Sequence, residues 1–167
     1  YLSPLYVVGK TAVNVACFLD ARARERPQTP ALLDGTAGRE RALTFAELEQ
    51  AAARAAAQLC AAGLRPGDGV LVLVPMSLEL YIALNAILRL GLVAIFLDPS
   101  AGADHIKACC ELYPPRAFIG SGRAQWMRLF VPALRKIPVK FTTGRSAWWR
   151  TQPLLGGGLP SDLSIQP

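Results

Sequence analysis

Residues 67–99, GDGVLVLVPMSLELYIALNAILRLGLVAIFLDP, limit the fold more than any other stretch of the chain. They read as strand, helix, strand. Gly69 to Val74 is an unbroken Val/Leu run, bounded by Pro66-Gly67-Asp68 before and Pro75 after. That is the pattern of a strand buried on both faces. Ser77 is placed to cap a helix reaching about Leu90, and Gly91 is placed to end it. Leu92 to Leu97 is a second apolar run, closed by Asp98-Pro99, and is expected to be a second buried strand. Two such strands joined by a helix form a βαβ unit, which requires a parallel sheet and a right-handed crossover. The helix is apolar nearly all round. Glu79, Asn85 and Arg89 share a stripe of about 120°, while Leu80, Tyr81, Leu84, Ile87 and Leu88 call for burial.

The remaining elements follow from local signals. Thr11 to Arg26 reads as a helix stopped by Pro27. Pro30–Asp34 and Arg41–Thr44 read as a hairpin. Thr44-Phe45-Ala46-Glu47 is a capping box for a helix to about Ala62. Its inner face (Phe45, Leu48, Ala52, Ala55, Ala56, Leu59) is rich in alanine and suits close approach to a sheet. A helix over about 103–113 precedes Pro114-Pro115, and Ala117 to Gly120 is a third parallel strand. A helix over 123–136 carries Trp126, Leu129, Phe130 and Ala133 on one side, and Pro132 should split it. Val139 to Thr143 is a fourth strand. The fold class is therefore α/β, a three-layer domain with a mainly parallel sheet over 11–145. Residues 1–10 are expected as a lead-in and 146–167 as a linker or disordered tail.

Length and composition bound what the chain can be. Its 167 residues suffice for one domain, and 52% hydrophobic content excludes a disordered chain. It opens on Tyr1 and has no charged and apolar leader in residues 1–20, so a cropped piece without a signal peptide is expected. Leu80 to Leu97 is long enough for a membrane span, but Asn85, Arg89 and Gly91 interrupt it. Cys17, Cys60, Cys109 and Cys110 form no C-x-x-C pair, which points to free thiols in the cytoplasm and away from a metal site.

The leading helix before RPQTPALLD, followed by ALTFAELEQAAARAAAQLCAAGLRPGDGVLVLVPMSLELYIALNAILRLGLVAIFLDP, resembles the start of the adenylate-forming (AMP-binding) superfamily. The Leu-Thr-Phe-x-Glu-Leu helix, the Gly-Leu-x-x-Gly-Asp turn and the next strand occur in that family's order. FLDPSAGADHIKACCELYPPRAFIG is similar to fatty-acyl members near the β-lactone synthetase branch of bacterial olefin biosynthesis, with Ser100 in place of an expected Gly. The resemblance covers roughly 11–145. It implies an acid ligase that uses ATP and Mg2+ to turn a fatty acid into an acyl-adenylate. It also implies a second α/β subdomain packed on this piece along an apolar seam. The phosphate loop ending in Pro-Lys-Gly and the domain bearing the catalytic Lys are not among these residues. Gly156-Gly157-Gly158 lacks the hydroxyl and cation that phosphate cradling needs. The chain is thus expected to be the N-terminal portion of such an enzyme, inactive alone and needing no cofactor alone.

No catalytic, cofactor-binding or metal-binding residue is assigned. His105 reads as a surface residue, Asp98 as a turn-former before Pro99, and Cys109-Cys110 as a half-buried pair. Gly63 to Gly69 precedes a strand, the wrong order for a dinucleotide loop. Residues 116–150 hold eight cations and no acid, together with Trp126, Phe130, Phe141, Trp148 and Trp149. The plain reading makes the aromatics core and the arginines a solvated face. The other makes the segment a peripheral membrane contact, favoured over nucleic acid for a fatty-acid enzyme. A different class of function, a catalytically silent α/β interaction module with a basic face, remains open. An apolar seam is expected at Leu2, Leu5, Tyr6, Val7, Trp148 and Trp149.

Overall fold

The computed structural model describes residues 14–35, 40–97, 102–144 and 152–155. The lead-in, Asp98, Trp148-Trp149 and Gly156-Gly157-Gly158 lie outside them. In chain order the elements are α1 (Ala16–Glu25), β1 (Pro30–Asp34), β2 (Arg41–Thr44), α2 (Phe45–Ala61), β3 (Gly69–Leu73), α3 (Leu78–Arg89), β4 (Val93–Phe96), α4 (Gly102–Leu112), β5 (Ala117–Gly120), α5 (Gly122–Phe130), α6 (Pro132–Lys136), β6 (Val139–Thr142) and β7 (Gln152–Pro153).

β1 and β2 form a separate antiparallel hairpin. The other five strands form one parallel sheet in the order β4-β3-β5-β6-β7. β3 is buried along its whole length. Because side chains alternate across a strand, Val70 and Val72 enter one core and Leu71 and Leu73 the other. The larger core holds α1, α2 and α3, and the smaller holds α4, α5 and α6. Gly69 is required by close approach: a Cβ there would lie 2.7 Å from the Tyr113 ring. Tyr113 in turn donates its hydroxyl to Gly67 O at 2.7 Å.

The caps form as the sequence signals. Thr44 Oγ1 accepts from Glu47 N–H, and Glu47 Oε2 accepts from Thr44 N–H at 2.9 Å. Ser77 caps α3 as expected, and Ser121 caps α5, a cap not predicted from the sequence. The helix after β5 breaks at Val131, with Pro132 opening α6. Asn14 ties α1 to α3, accepting from Ala16 N–H and donating to Leu88 O at 2.8 Å.

Four expectations need correction. The alanine face of α2 packs chiefly against α3, not against the sheet, since α3 already occupies that layer. β4 is an edge strand, so Val93 and Phe96 are exposed instead of buried on both faces. α3 leaves Tyr81 exposed and Leu84 and Leu88 half-buried, because the stripe they share with Asn85 lies outside the arc that α2 and the sheet cover. Within the expected tail, Gln152–Pro153 pairs with β6 and Leu154 is fully buried. Among the described residues, no helix is long and apolar enough to cross a membrane.

Because Ile87 is fully buried and Leu84 is not, Ile87→Ala should cost about 2–5 kcal/mol and Leu84→Ala clearly less. Urea unfolding of both variants checks this. Equal losses would mean that α3 is enclosed on all sides.

Candidate functional site

In an open parallel sheet, ligands lie outside the C-terminal strand ends, where the direction of connection reverses. Here β3 passes through α3 to β4 on one side. β4 then returns past it through α4 to β5 on the other. The reversal point therefore lies between the ends of β3 and β5. Residues 74–77 and Ser121 build this edge, and Ser121 N–H donates to Leu73 O at 3.1 Å across it.

The hydroxyls at this edge are committed to capping. Ser77 Oγ accepts from Leu80 N–H at 3.4 Å, and Ser121 Oγ from Ala124 N–H at 3.3 Å. Gln125 braces the same edge from beneath. Its side chain is buried, and Nε2 donates to Phe141 O at 2.9 Å and to Gly120 O at 3.3 Å. Arg128 donates to Gln125 Oε1 at 2.9 Å. Gly120 admits this packing, since a Cβ there would meet the Phe118 ring at 2.6 Å.

A charged clamp holds the loop after β3. From β2, Arg41 donates to Asp34 Oδ2 and to Glu79 Oε1, both at 2.7 Å. Glu79 sits in the first turn of α3, so the hairpin is fastened to the start of that helix. Burial pushes the Glu79 carboxyl up. Hydrogen bonds from Arg41, its own backbone N–H and Ser77 outweigh this and hold it below its ordinary value of 4.5. The Glu79 hydrogen bond drives the Arg41 guanidinium upward, against the opposing effect of burial. A second pair, Arg89 with Glu49, joins α3 to α2.

Among the described residues, the edge loops thus offer backbone N–H groups and capping hydroxyls but no lysine or arginine. The carboxylate of Glu79, in the first turn of α3, is engaged by Arg41. These residues do not fit an ATP–Mg2+ site on their own. Among the described residues, no three His, Cys, Asp or Glu side chains are grouped to hold a metal. His105 is exposed on α4, with Nε2 3.5 Å from Cys109 Sγ. Cys110 faces a groove of about 710 Å3 between α4 and α6, which reaches the N-terminal ends of β5 and β6, away from the reversal point. Burial, then the neighbouring Cys109 and Glu111, push its thiol up. Gly67 takes a left-handed turn conformation before β3. Sequence reasoning missed the Arg41 clamp and the Gln125 brace. The Arg41–Glu79 contact spans 38 residues, and Gln125 bonds to backbone carbonyls, which no side-chain pattern announces.

The fold matches that of adenylate-forming enzymes. The acetoacetyl-CoA synthetase of Streptomyces lividans superposes with a TM-score of 0.75 at 26% identity, over 87% of this chain and 25% of that one. A benzoate CoA ligase of Burkholderia xenovorans shares the fold, with a TM-score of 0.71 at 21% identity, over 93% of this chain and 31% of that one. The family model for the AMP-binding enzyme matches residues 19–148, and the chain belongs to that family. It is 32% identical over 125 residues to the olefin beta-lactone synthetase of Xanthomonas campestris pv. campestris, covering 71% of this chain and 22% of that protein. It is 29% identical over 144 residues to the enzyme of that name from Stenotrophomonas maltophilia, covering 81% of this chain and 26% of that protein. The chain spans about a quarter of the length of these relatives.

The Arg41 clamp has a testable pH dependence. Glu79 is held below its ordinary value, so its contribution is complete above pH 4.5 and is lost as pH falls through the folded value. Arg41→Met should cost about 1–3 kcal/mol at pH 7, a range lowered because Arg41 is partly exposed. The gap from the parent chain should close on acidification. Thermal melts across pH 3–7, the window set by the ordinary carboxylate range, check this. A gap independent of pH would show that Glu79 gains nothing from Arg41.

Proposed function

We propose that this chain is the N-terminal portion of an AMP-forming enzyme that activates fatty acids, and that it is inactive alone. The observation that carries this reading is the family match over 19–148, set beside an edge whose loops hold caps and no reactive side chain. Similarity to olefin beta-lactone synthetases favours a fatty acid over the other carboxylates. In the complete enzyme, ATP with Mg2+ would supply the phosphoanhydride that activates the carboxylate. The role of this chain would be to hold the β3–β5 edge rigid while a second α/β subdomain of the same enzyme brings the phosphate-binding and catalytic groups. The free thiols of Cys17, Cys60, Cys109 and Cys110 favour a reducing, cytoplasmic compartment.

Two assays of ATP–pyrophosphate exchange test the proposal. The chain alone should give no exchange with any fatty acid. A chimera in which it replaces the matching segment of the Xanthomonas campestris enzyme should exchange with long-chain fatty acids. Exchange by the chain alone would overturn its inactivity. A folded chimera that activates only other carboxylates would overturn the fatty-acid assignment.

A further inference from the structure

α5 is an amphipathic helix turned inside out. At about 100° per residue, Ala124, Gln125 and Arg128 share the face toward the sheet, Arg123, Trp126 and Phe130 share the opposite face, and Leu129 lies exposed at the boundary beside Trp126. Trp126 is 55% exposed, Leu129 51% and Phe130 79%, so the expectation that the aromatics are core fails for Trp126 and Phe130 and holds for Phe141. Gln125 holds the inward position by bonding to the ends of β5 and β6, which fixes the phase of the helix. A solvated helix carries polar residues outward, and this one carries two aromatic rings and a leucine.

The outer face of α5 carries a cation and no acid. Arg123 lies at nearly the same helical phase as Phe130, and Arg135 is exposed on α6, which packs beside α5, whereas Lys136 lines the α4–α6 groove with Asp104 and Glu111. From Arg116 to Gly144 the sequence contains no Asp or Glu. A protein partner covering such a face would have to supply an acid for each desolvated cation. An anionic lipid surface satisfies both features at once. Aromatic rings settle at the headgroup level, and cations meet the lipid phosphates.

We propose that the outer face of α5, formed by Arg123, Trp126, Leu129 and Phe130, docks on an anionic membrane surface. This goes beyond the adenylation reading and does not depend on it. The 167-residue chain should co-sediment with phosphatidylcholine vesicles containing phosphatidylglycerol, and much less with phosphatidylcholine alone. Binding should weaken as salt shortens the screening length from about 10 Å at 0.1 M to about 3 Å at 1 M. Arg123→Ala should weaken it about fivefold, and Leu129→Ser with Phe130→Ser by about tenfold or more. Phe96→Ser, on the exposed edge strand β4, should leave it unchanged. The Arg123, Leu129, Phe130 and Phe96 variants should melt like the parent, since each of these side chains is exposed. With Trp148→Phe and Trp149→Phe, Trp126 becomes the only tryptophan, and brominated lipid should quench it on binding.

Three results would overturn the proposal. They are failure to bind anionic vesicles at low salt, equal weakening by Phe96→Ser and Phe130→Ser, and concentration-dependent self-association in ultracentrifugation that Phe130→Ser abolishes without lipid. The last would assign the face to a second copy of the chain.

Discussion

The burial of β3 from both sides underlies every other contact in the domain. Five residues, Gly69 to Leu73, present valines to one core and leucines to the other. A parallel strand needs cover on both faces, because its crossovers bring helices there. α3 supplies one cover on the way to β4. α4 supplies the other on the way back to β5, and the reversal between them creates the edge where a ligand would be met. The position of the candidate site is therefore a consequence of topology.

Polar contacts then set the details that apolar packing leaves free. Arg41 fixes the hairpin to the first turn of α3, and Asn14 fixes α1 to its last. Gln125 fixes the rotation of α5 against β5 and β6. The Arg41 and Asn14 contacts join elements far apart in sequence. Together they tie the edge to the hairpin and to β5 and β6.

Much of this could be read from residue order. The Val/Leu run between Pro66 and Pro75, the Thr44–Glu47 box, the cap at Ser77, and the break at Pro132 are short-range signals tied to backbone geometry. What escaped depends on neighbours distant in the chain. Periodicity placed Trp126, Leu129 and Phe130 on one side of α5. It could not tell that the sheet takes the other side, where Gly120 and the Phe141 carbonyl receive Gln125. An apolar run such as Leu92 to Leu97 reads alike at the edge or the centre of a sheet, and only pairing shows β4 to be an edge. Gln152–Pro153 carries no strand signal, and its pairing with β6 is set by the neighbouring strand. The candidate site was legible as a location, from strand order, but not as a set of side chains.

Native-state amide hydrogen exchange tests the central claim most directly. If β3 is the element on which both cores depend, the amides of Val70 to Leu73 should exchange only through global unfolding, with protection equal to the full stability of the domain. Those of β4 and α5, at the edge and the outer layer, should open by smaller local events. Faster exchange in β3 than in β4 or α5 would contradict the account, because the two cores would then be held together by something other than this strand.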